Sequence, residues 1–304
     1  MSHFNCFVVG DVDDVMARFN EQDEEYVRPC QETREEIDRT LSYFNNPEHE
    51  RTYNGFKEAY PDEADQTPVN FYAWYTDRKP VYSREELNQS IYEHEPCFLV
   101  EDGEIVEAYS YYNPDAKYDY YCVIGEDSFA RFGGAGFIMK DGSKANTGLV
   151  KDIDIDATVA AAVQKERGFY REVIDGVGEL HHTAWPVYLE RVDRKEITID
   201  EARELYRAQP DIKRFDEWAR LAQYYFIDAD KFLVSEDEYV KDVTVPIFCA
   251  NIMGDWYEEG QMGWWGIVSD QKEPSDWKQL IESKLREAQN DYPDEEFHFL
   301  DCHI

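Results

Sequence analysis

Phe4-Asn5-Cys6-Phe7-Val8-Val9-Gly10 is short, apolar and closed by a glycine, which reads as an opening strand running into the loop at Gly10-Asp11. A counterpart stands at the other end, where Phe297-His298-Phe299-Leu300-Asp301-Cys302-His303-Ile304 reads as a closing strand. An unpaired strand leaves a row of backbone donors and acceptors unsatisfied, so the simplest architecture lets the two ends pair. The expectation is an α+β fold. A central mixed or antiparallel sheet holds the N- and C-terminal strands, helices flank it, and a helical block is inserted.

Working inward, the pattern predicts a small helix near residues 14–19 and another over 31–44, broken by Pro47. The acidic stretch 60–68, with proline near each end, reads as an exposed connection. Ser83 followed by Glu86 makes a capping box for a helix ending near His94. From residue 96 to 139 the texture turns to Val, Ile, Tyr and Phe punctuated by Gly and Asn113-Pro114. Strands are expected at 97–101, 105–111, 118–124 and 136–139, with a turn at Asp141-Gly142. Ala-rich spacing over 157–163, a start signal at Asp200 and a break at Pro210 mark a helical insertion or subdomain over 156–232. It divides a core whose N-terminal part is 1–155 and whose C-terminal part is 233–304. Sheet returns at 243–251 and 262–268, and Ser275 opens an amphipathic helix through Trp277, Leu280, Ile281 and Leu285.

The chain of 304 residues is 42% hydrophobic, with 22 Tyr, 17 Phe and 7 Trp, enough apolar area to offset chain entropy in one large core or two modest ones. Against that stand 66 Asp and Glu with 31 Lys and Arg, a formal net charge of −35. So negative a field repels DNA and anionic membrane surfaces, which excludes direct nucleic-acid binding and membrane association as expected functions. Three readings of the acidity remain. One is a solvated surface. Another is adaptation to high salt, which would deplete lysine, whereas 14 Lys stand beside 17 Arg. The third is a surface that docks on a basic partner or imitates nucleic acid, with Glu21-Gln22-Asp23-Glu24-Glu25 and residues 291–296 as candidates. The six scattered cysteines form no C-x-x-C pair and read as reduced thiols. No basic n-region opens the chain and no stretch approaches the roughly 18 apolar residues of a membrane span, so the expected location is the cytoplasm.

Three clusters could carry chemistry. In Lys117-Tyr118-Asp119-Tyr120-Tyr121-Cys122 a strand would place Asp119 and Tyr121 on one face and Tyr118 and Tyr120 on the other. The favoured reading is a bulged hairpin with aromatic packing. The alternative is a ligand site, a carboxylate beside a phenol with Arg131 to hold an anion. Trp256, Trp264 and Trp265 form the second cluster, either core or the lining of a groove. The third is Cys302-His303, whose side chains leave a strand on opposite faces and cannot form a dyad, so that a partner has to come from elsewhere, such as Asp119 or His3. His181-His182 and His303 lack metal-ligand spacing, and neither a P-loop nor a G-x-S-x-G element occurs. No metal or cofactor is implied, and the reading leans against an enzyme.

Taken together, several segments resemble a family of tailed-bacteriophage proteins. Met1-Ser2-His3-Phe4, then Val8-Val9-Gly10-Asp11 and Phe19-Asn20-Glu21, look like its MSHFTV-like start, (I/V)GD turn and APF(N/Q)E segment. Asn113-Pro114-Asp115-Ala116-Lys117-Tyr118-Asp119-Tyr120-Tyr121 resembles its NPxAKWDWY, Asp152-Ile153-Asp154 its DID, and Tyr206-Arg207-Ala208-Gln209-Pro210 its Y-x-A-Q-P. Trp256-Tyr257-Glu258-Glu259-Gly260, Met262-Gly263-Trp264-Trp265-Gly266 and Asp301-Cys302-His303-Ile304 resemble its WYERG, MGWWG and terminal DCHI. The chain departs from the family's IGGRW-x-G, since a short insertion separates Gly125 from Arg131. The resemblance implies a phage gene product and carries no established activity.

The expected function is therefore a phage accessory protein that acts in the infected host by binding. The reading favours an inhibitor of a host defence or nucleic-acid enzyme, engaged through an acidic, aromatic-rich surface that meets a basic host protein. Two alternatives stand beside it. One is a nucleotide- or small-molecule-handling enzyme or sequestering protein with a pocket around Asp119, Arg131 and His303, and the other is a structural virion component. A homo-oligomer is left open.

Overall fold

His3–Val9 and Glu296–His303 are neighbouring strands of one mixed sheet, so the chain's ends do pair and the fold is α+β. The computed structural model describes residues 2–46, 49–125, 136–224, 227–263 and 267–304. They divide into two compact units. A larger one comprises residues 3–12 and 122–301, and a smaller one residues 1–2, 13–121 and 302–304.

In the larger unit the sheet runs Asp255–Glu258, Cys249–Ile252, His3–Val9, Glu296–His303, Tyr120–Val123, with Thr147–Leu149 also paired to the closing strand. The unit boundary falls inside two of these strands and leaves Tyr120, Tyr121, Cys302 and His303 to the smaller unit. His3–Val9 is parallel to Cys249–Ile252 in the register Cys6 to Cys249, and its far end is fixed by Gly10 N–H donating to the Glu296 carbonyl at 3.0 Å. Phe7, Val9, Phe297 and Phe299 bury one face of the sheet against Trp277, Ile281, Leu285 and Ala288 of helix Pro274–Asp291. Their spacing of three and four places them on one side of that helix. Pro274 rather than Ser275 begins it, since proline's missing N–H is lost without penalty at the first helical position.

Helix Ile155–Val177 starts on Asp154, whose side chain accepts from Ala157 N–H, and ends at Gly178 with φ 83°. Val173 and Val177 pack with Ile212, Phe215 and Phe232 in a second core that also takes in helix Pro210–Leu221. Gly176 permits the approach: a Cβ there would lie 2.1 Å from Trp218 Nε1. Pro210 opens this last helix instead of only closing the one before. The start signal expected at Asp200 belongs to Thr198, which forms a capping box with Glu201 for helix Ile199–Ala208.

The smaller unit holds a four-stranded sheet in the order Arg28–Gln31, Glu104–Tyr112, Cys97–Glu101, Lys79–Val81. Both edge strands are short and carry a proline, Pro29 and Pro80, which blunts them against further pairing. Ile37 and Tyr72 cover one face over Phe98, Val100 and Ile105, and Leu87 meets Cys97 and Leu99 in a separate core cluster. Ser83 caps helix Arg84–Tyr92 by accepting from Glu86 N–H, but the Glu86 carboxylate accepts from Tyr82 N–H, one residue earlier than a capping box requires. Helices Glu50–Ala59 and Pro68–Thr76 bring Phe56 and Phe71 ring to ring at 5.3 Å.

Candidate functional site

Asp119 sits in a bend, not in a strand. Tyr118 forms an isolated bridge with Asn20 and the strand begins only at Tyr120, so period-two alternation does not run through the segment. Asp119 and Tyr120 consequently meet the same residue. His303 Nδ1–H donates to the Asp119 carboxylate at 2.6 Å, and the Tyr120 ring stacks on the imidazole with centroids 4.4 Å apart. Tyr121 instead lies beside Tyr118, at 5.8 Å, and donates its hydroxyl to Asp13 Oδ1 at 2.6 Å. The expected face shared by Asp119 and Tyr121 is thus replaced by the pairs Asp119–Tyr120 and Tyr118–Tyr121.

The carboxylate fixes the imidazole's orientation and keeps a proton on Nδ1. Burial, then the hydrogen bond to Asp13 and its charge, push the Tyr121 phenol far above its ordinary value of 10, so it remains a neutral donor. Cys302 is fully buried and His303 is 5% exposed. Little of either is left for a ligand to touch, and His303 is held between Asp119 and Tyr120.

Trp256 lies in the larger unit on strand Asp255–Glu258, where its Nε1–H donates to Glu258 Oε2 at 2.8 Å and its ring edge meets Phe4. Arg131, Trp264 and Trp265 lie outside the described residues. Where a strand was expected over 262–268, the described residues form two short antiparallel strands, Gln261–Met262 and Val268–Ser269.

The larger unit contains a groove of about 950 Å³. Residues 242–248 form one wall, and Thr158, Ala161, Ala162 and Lys165 of helix Ile155–Val177 form another, with Trp277 among the rest. Neither Asp119, Tyr121, Cys302 nor His303 lines it. His3, which does, is held by Asp301 at 2.8 Å.

The segment Tyr206-Arg207-Ala208-Gln209-Pro210, singled out in sequence, proves to be a clamp. Gln209 accepts from Thr183 N–H at 2.7 Å and donates back to the Thr183 carbonyl at 3.0 Å, pairing with a stretch that has no strand partner. Tyr206 and His182 both bond to Asp230 Oδ1, at 2.7 and 2.8 Å, while Asp230 Oδ2 accepts from Trp185 N–H. Burial, then the bond to Asp230, raise the Tyr206 phenol and keep it neutral. Nothing in the spacing of these residues announced Asp230, which lies 24 positions from Tyr206.

The surfaces of the two units differ in kind. Over 114 residues the smaller unit carries 27 Asp and Glu against 10 Lys and Arg, a balance of −17, and the larger carries 39 against 21 over 190 residues, a balance of −18. Among the described residues, the smaller unit's exposed large hydrophobic side chains are Trp74, Tyr75, Tyr82, Tyr92, Val106, Tyr112 and Tyr120, six aromatics in seven. Those of the larger are aliphatic or methionine in nine cases of ten, Tyr292 being the exception.

Among the described residues no cluster of three His, Cys, Asp or Glu is placed to hold a metal ion, and no helix is long and apolar enough to cross a membrane. No protein-family model, curated protein or solved structure matches the chain.

Proposed function

We propose that the chain acts by binding, and that its smaller unit carries the surface that does so. The observation behind this is the coincidence of two properties in that unit, a charge density well above that of the larger one and exposed hydrophobics that are almost all Tyr or Trp. Carboxylates steer a basic partner and suppress wrong ones, while Tyr and Trp supply large rigid contact area with little entropy to lose. The partner is a host protein with a basic surface. On the family resemblance the chain is a phage accessory protein that inhibits a host defence or nucleic-acid enzyme. Burial of His303 supports binding over the small-molecule alternative, which needs that side chain within reach of a ligand.

The test is affinity capture from infected host cells, followed by titration of the recovered partner against the purified chain over a salt series. A partner whose affinity drops about tenfold or more between low and moderate salt supports the reading. Failure to recover one, or binding indifferent to salt, sinks it.

A further inference from the structure

The exposed aromatics of the smaller unit are not alike. Trp74 meets Phe56 at 5.7 Å, Tyr75 stacks on Phe71 at 5.6 Å and Tyr120 on His303 at 4.4 Å, so each rests on a ring of the same unit. Tyr82 and Tyr92 rest on none. They are 66% and 82% exposed, and among the described residues no ring, cation or hydrogen-bond partner meets either side chain. The fold gives no reason for either to be aromatic, and a large ring left in water without internal contacts is the usual form of an interface anchor.

Both stand on one helix, Arg84–Tyr92. Tyr82 comes just before its N-cap, Ser83, and Tyr92 is its last residue. Leu87 and Ile91 turn inward against Cys97 and Leu99, which leaves Glu85, Gln89 and Tyr92, at spacings of four and three, on the outer side. A carboxylate is held beside each tyrosine: Glu86 Oε2 accepts from the Tyr82 N–H at 2.9 Å, and Glu93, next to Tyr92, accepts from Gln89 Nε2. The charge around the helix is unbalanced. Residues 78–107 hold 8 Asp and Glu with three cations, and each cation is already engaged, Arg78 by Glu32 at 2.5 Å, Lys79 by Glu95 at 2.9 Å and Arg84 by Glu107 at 2.7 Å. No described cation lies within ion-pair distance of Glu85, Glu86 or Glu93. The last turn of the helix carries no basic residue either, so the partial negative charge of that end is uncompensated.

We infer that the outer face of this helix is where the partner docks, and that it takes arginine: one guanidinium lies on the Tyr92 ring and pairs with Glu93, and a second does the same at Tyr82 and Glu86. This rests on the proposal that the smaller unit binds a basic protein, and narrows it to one element and one side-chain type. Arginine rather than lysine follows from the groups on offer. A planar guanidinium can stack on a phenol ring while its N–H fork meets a carboxylate, whereas an ammonium is a compact, more strongly hydrated point charge. The nine residues of the helix span about 13 Å, so the partner carries its two arginines about that far apart.

The probes are fluorescein-labelled deca-arginine and deca-lysine, equal in charge, titrated against the full chain by fluorescence anisotropy at moderate salt. General attraction to an acidic surface is common to both, so the arginine peptide should bind about fivefold or more tighter. Tyr92→Ser and Glu93→Gln should each weaken the arginine peptide about threefold or more and remove most of its advantage over lysine, with Tyr82→Ser acting in the same direction. Glu204→Gln makes the same loss of charge on the larger unit and should change the affinity by less than about twofold. Thermal unfolding checks that each variant is folded. Deca-arginine carrying a benzophenone should crosslink on irradiation within residues 78–107. The inference is overturned if the two peptides bind alike, if folded Tyr92 and Glu93 variants keep the preference, or if the crosslinks scatter over the chain. Crosslinks confined to the neighbourhood of Trp74 and Tyr75 would overturn it and still leave the smaller unit as the binding surface, whereas crosslinks confined to the larger unit would remove both readings.

Discussion

The smaller unit wears tyrosine and tryptophan among carboxylates, whereas the larger exposes Val187, Leu189, Leu205 and Leu221 among a sparser charge. Scattered aliphatic residues are the ordinary surface of a folded protein and need no explanation. Aromatics exposed as far as Tyr92, at 82%, and Tyr82, at 66%, are different, because such side chains anchor interfaces. The lesson is that one net charge of −35 conceals two surfaces of unequal composition.

If the difference is confined to surfaces, the cores should behave alike. Phe56, fully buried and within 6.0 Å of the rings of Phe44, Tyr60, Phe71 and Trp74, anchors the smaller unit. Phe7, equally buried and stacked on Phe297 at 5.5 Å, anchors the larger. Alanine at either position is expected to remove about 3–5 kcal/mol, read from urea unfolding. A loss below about 1 kcal/mol for Phe56→Ala alone would extend the contrast inward, showing that the aromatic cluster is not a core.

A smaller effect distinguishes how the two units bury polarity. In the smaller one Arg78 and Tyr72 both bond to Glu32, whose side chain is 19% exposed. Burial alone would raise the Glu32 carboxyl, but the hydrogen bonds from Arg78 and Tyr72 and the guanidinium charge bring it below its ordinary 4.5. Its stabilising contribution is therefore complete above about 4.5 and disappears as pH falls through the lowered value. Arg78→Met should cost about 3 kcal/mol near neutrality by stranding the carboxylate. It should also reverse the sign: burial then raises the carboxyl, and the variant gains stability on acidification. A pH series of unfolding midpoints showing parallel curves for the two proteins would refute the assignment. The larger unit depends at one point on close approach instead. Gly176→Ala drives a methyl into Trp218 and should lose about 1–3 kcal/mol, unless the indole turns aside, which tryptophan fluorescence would report.

The pairing of the ends was legible because a short apolar run stands at each of them, and 97–101 and 105–111 were equally plain, the latter lying within Glu104–Tyr112. Helices Glu50–Ala59 and Pro68–Thr76 were not read, although Thr67 before Pro68 is a start signal. The bend at Asp119 defeated the face assignment, since alternation assumes an unbroken strand and the isolated bridge at Tyr118 depends on Asn20, far away in sequence. Asp119 as the partner of His303 was open to inference, because a strand's geometry sent His303 to look beyond its neighbour. Of the strand expected over 243–251 only Cys249–Ile252 forms. Before it the chain turns, with Ile247 N–H donating to the Val245 carbonyl and Asn5 holding the Pro246 carbonyl and the Phe248 N–H, side-chain contacts that composition does not announce.

The smallest effect is the sharpest. Tyr92→Ser and Leu221→Ser each remove a large side chain that is mostly in water, at 82% and 67% exposure, so neither should change unfolding stability by more than about 0.5 kcal/mol. Their effects on the captured partner should diverge. A tyrosine at an interface places an apolar ring and a polar hydroxyl against the partner at once, and losing it weakens binding about tenfold, near 1.4 kcal/mol. A leucine outside the interface contributes nothing to lose. Tyr82→Ser should follow Tyr92→Ser, and the two losses should grow as salt is lowered only if carboxylates and aromatics meet the partner together. If Leu221→Ser weakens the complex and both tyrosine variants leave it intact, the contrast between the surfaces still stands, but it has been assigned to the wrong unit.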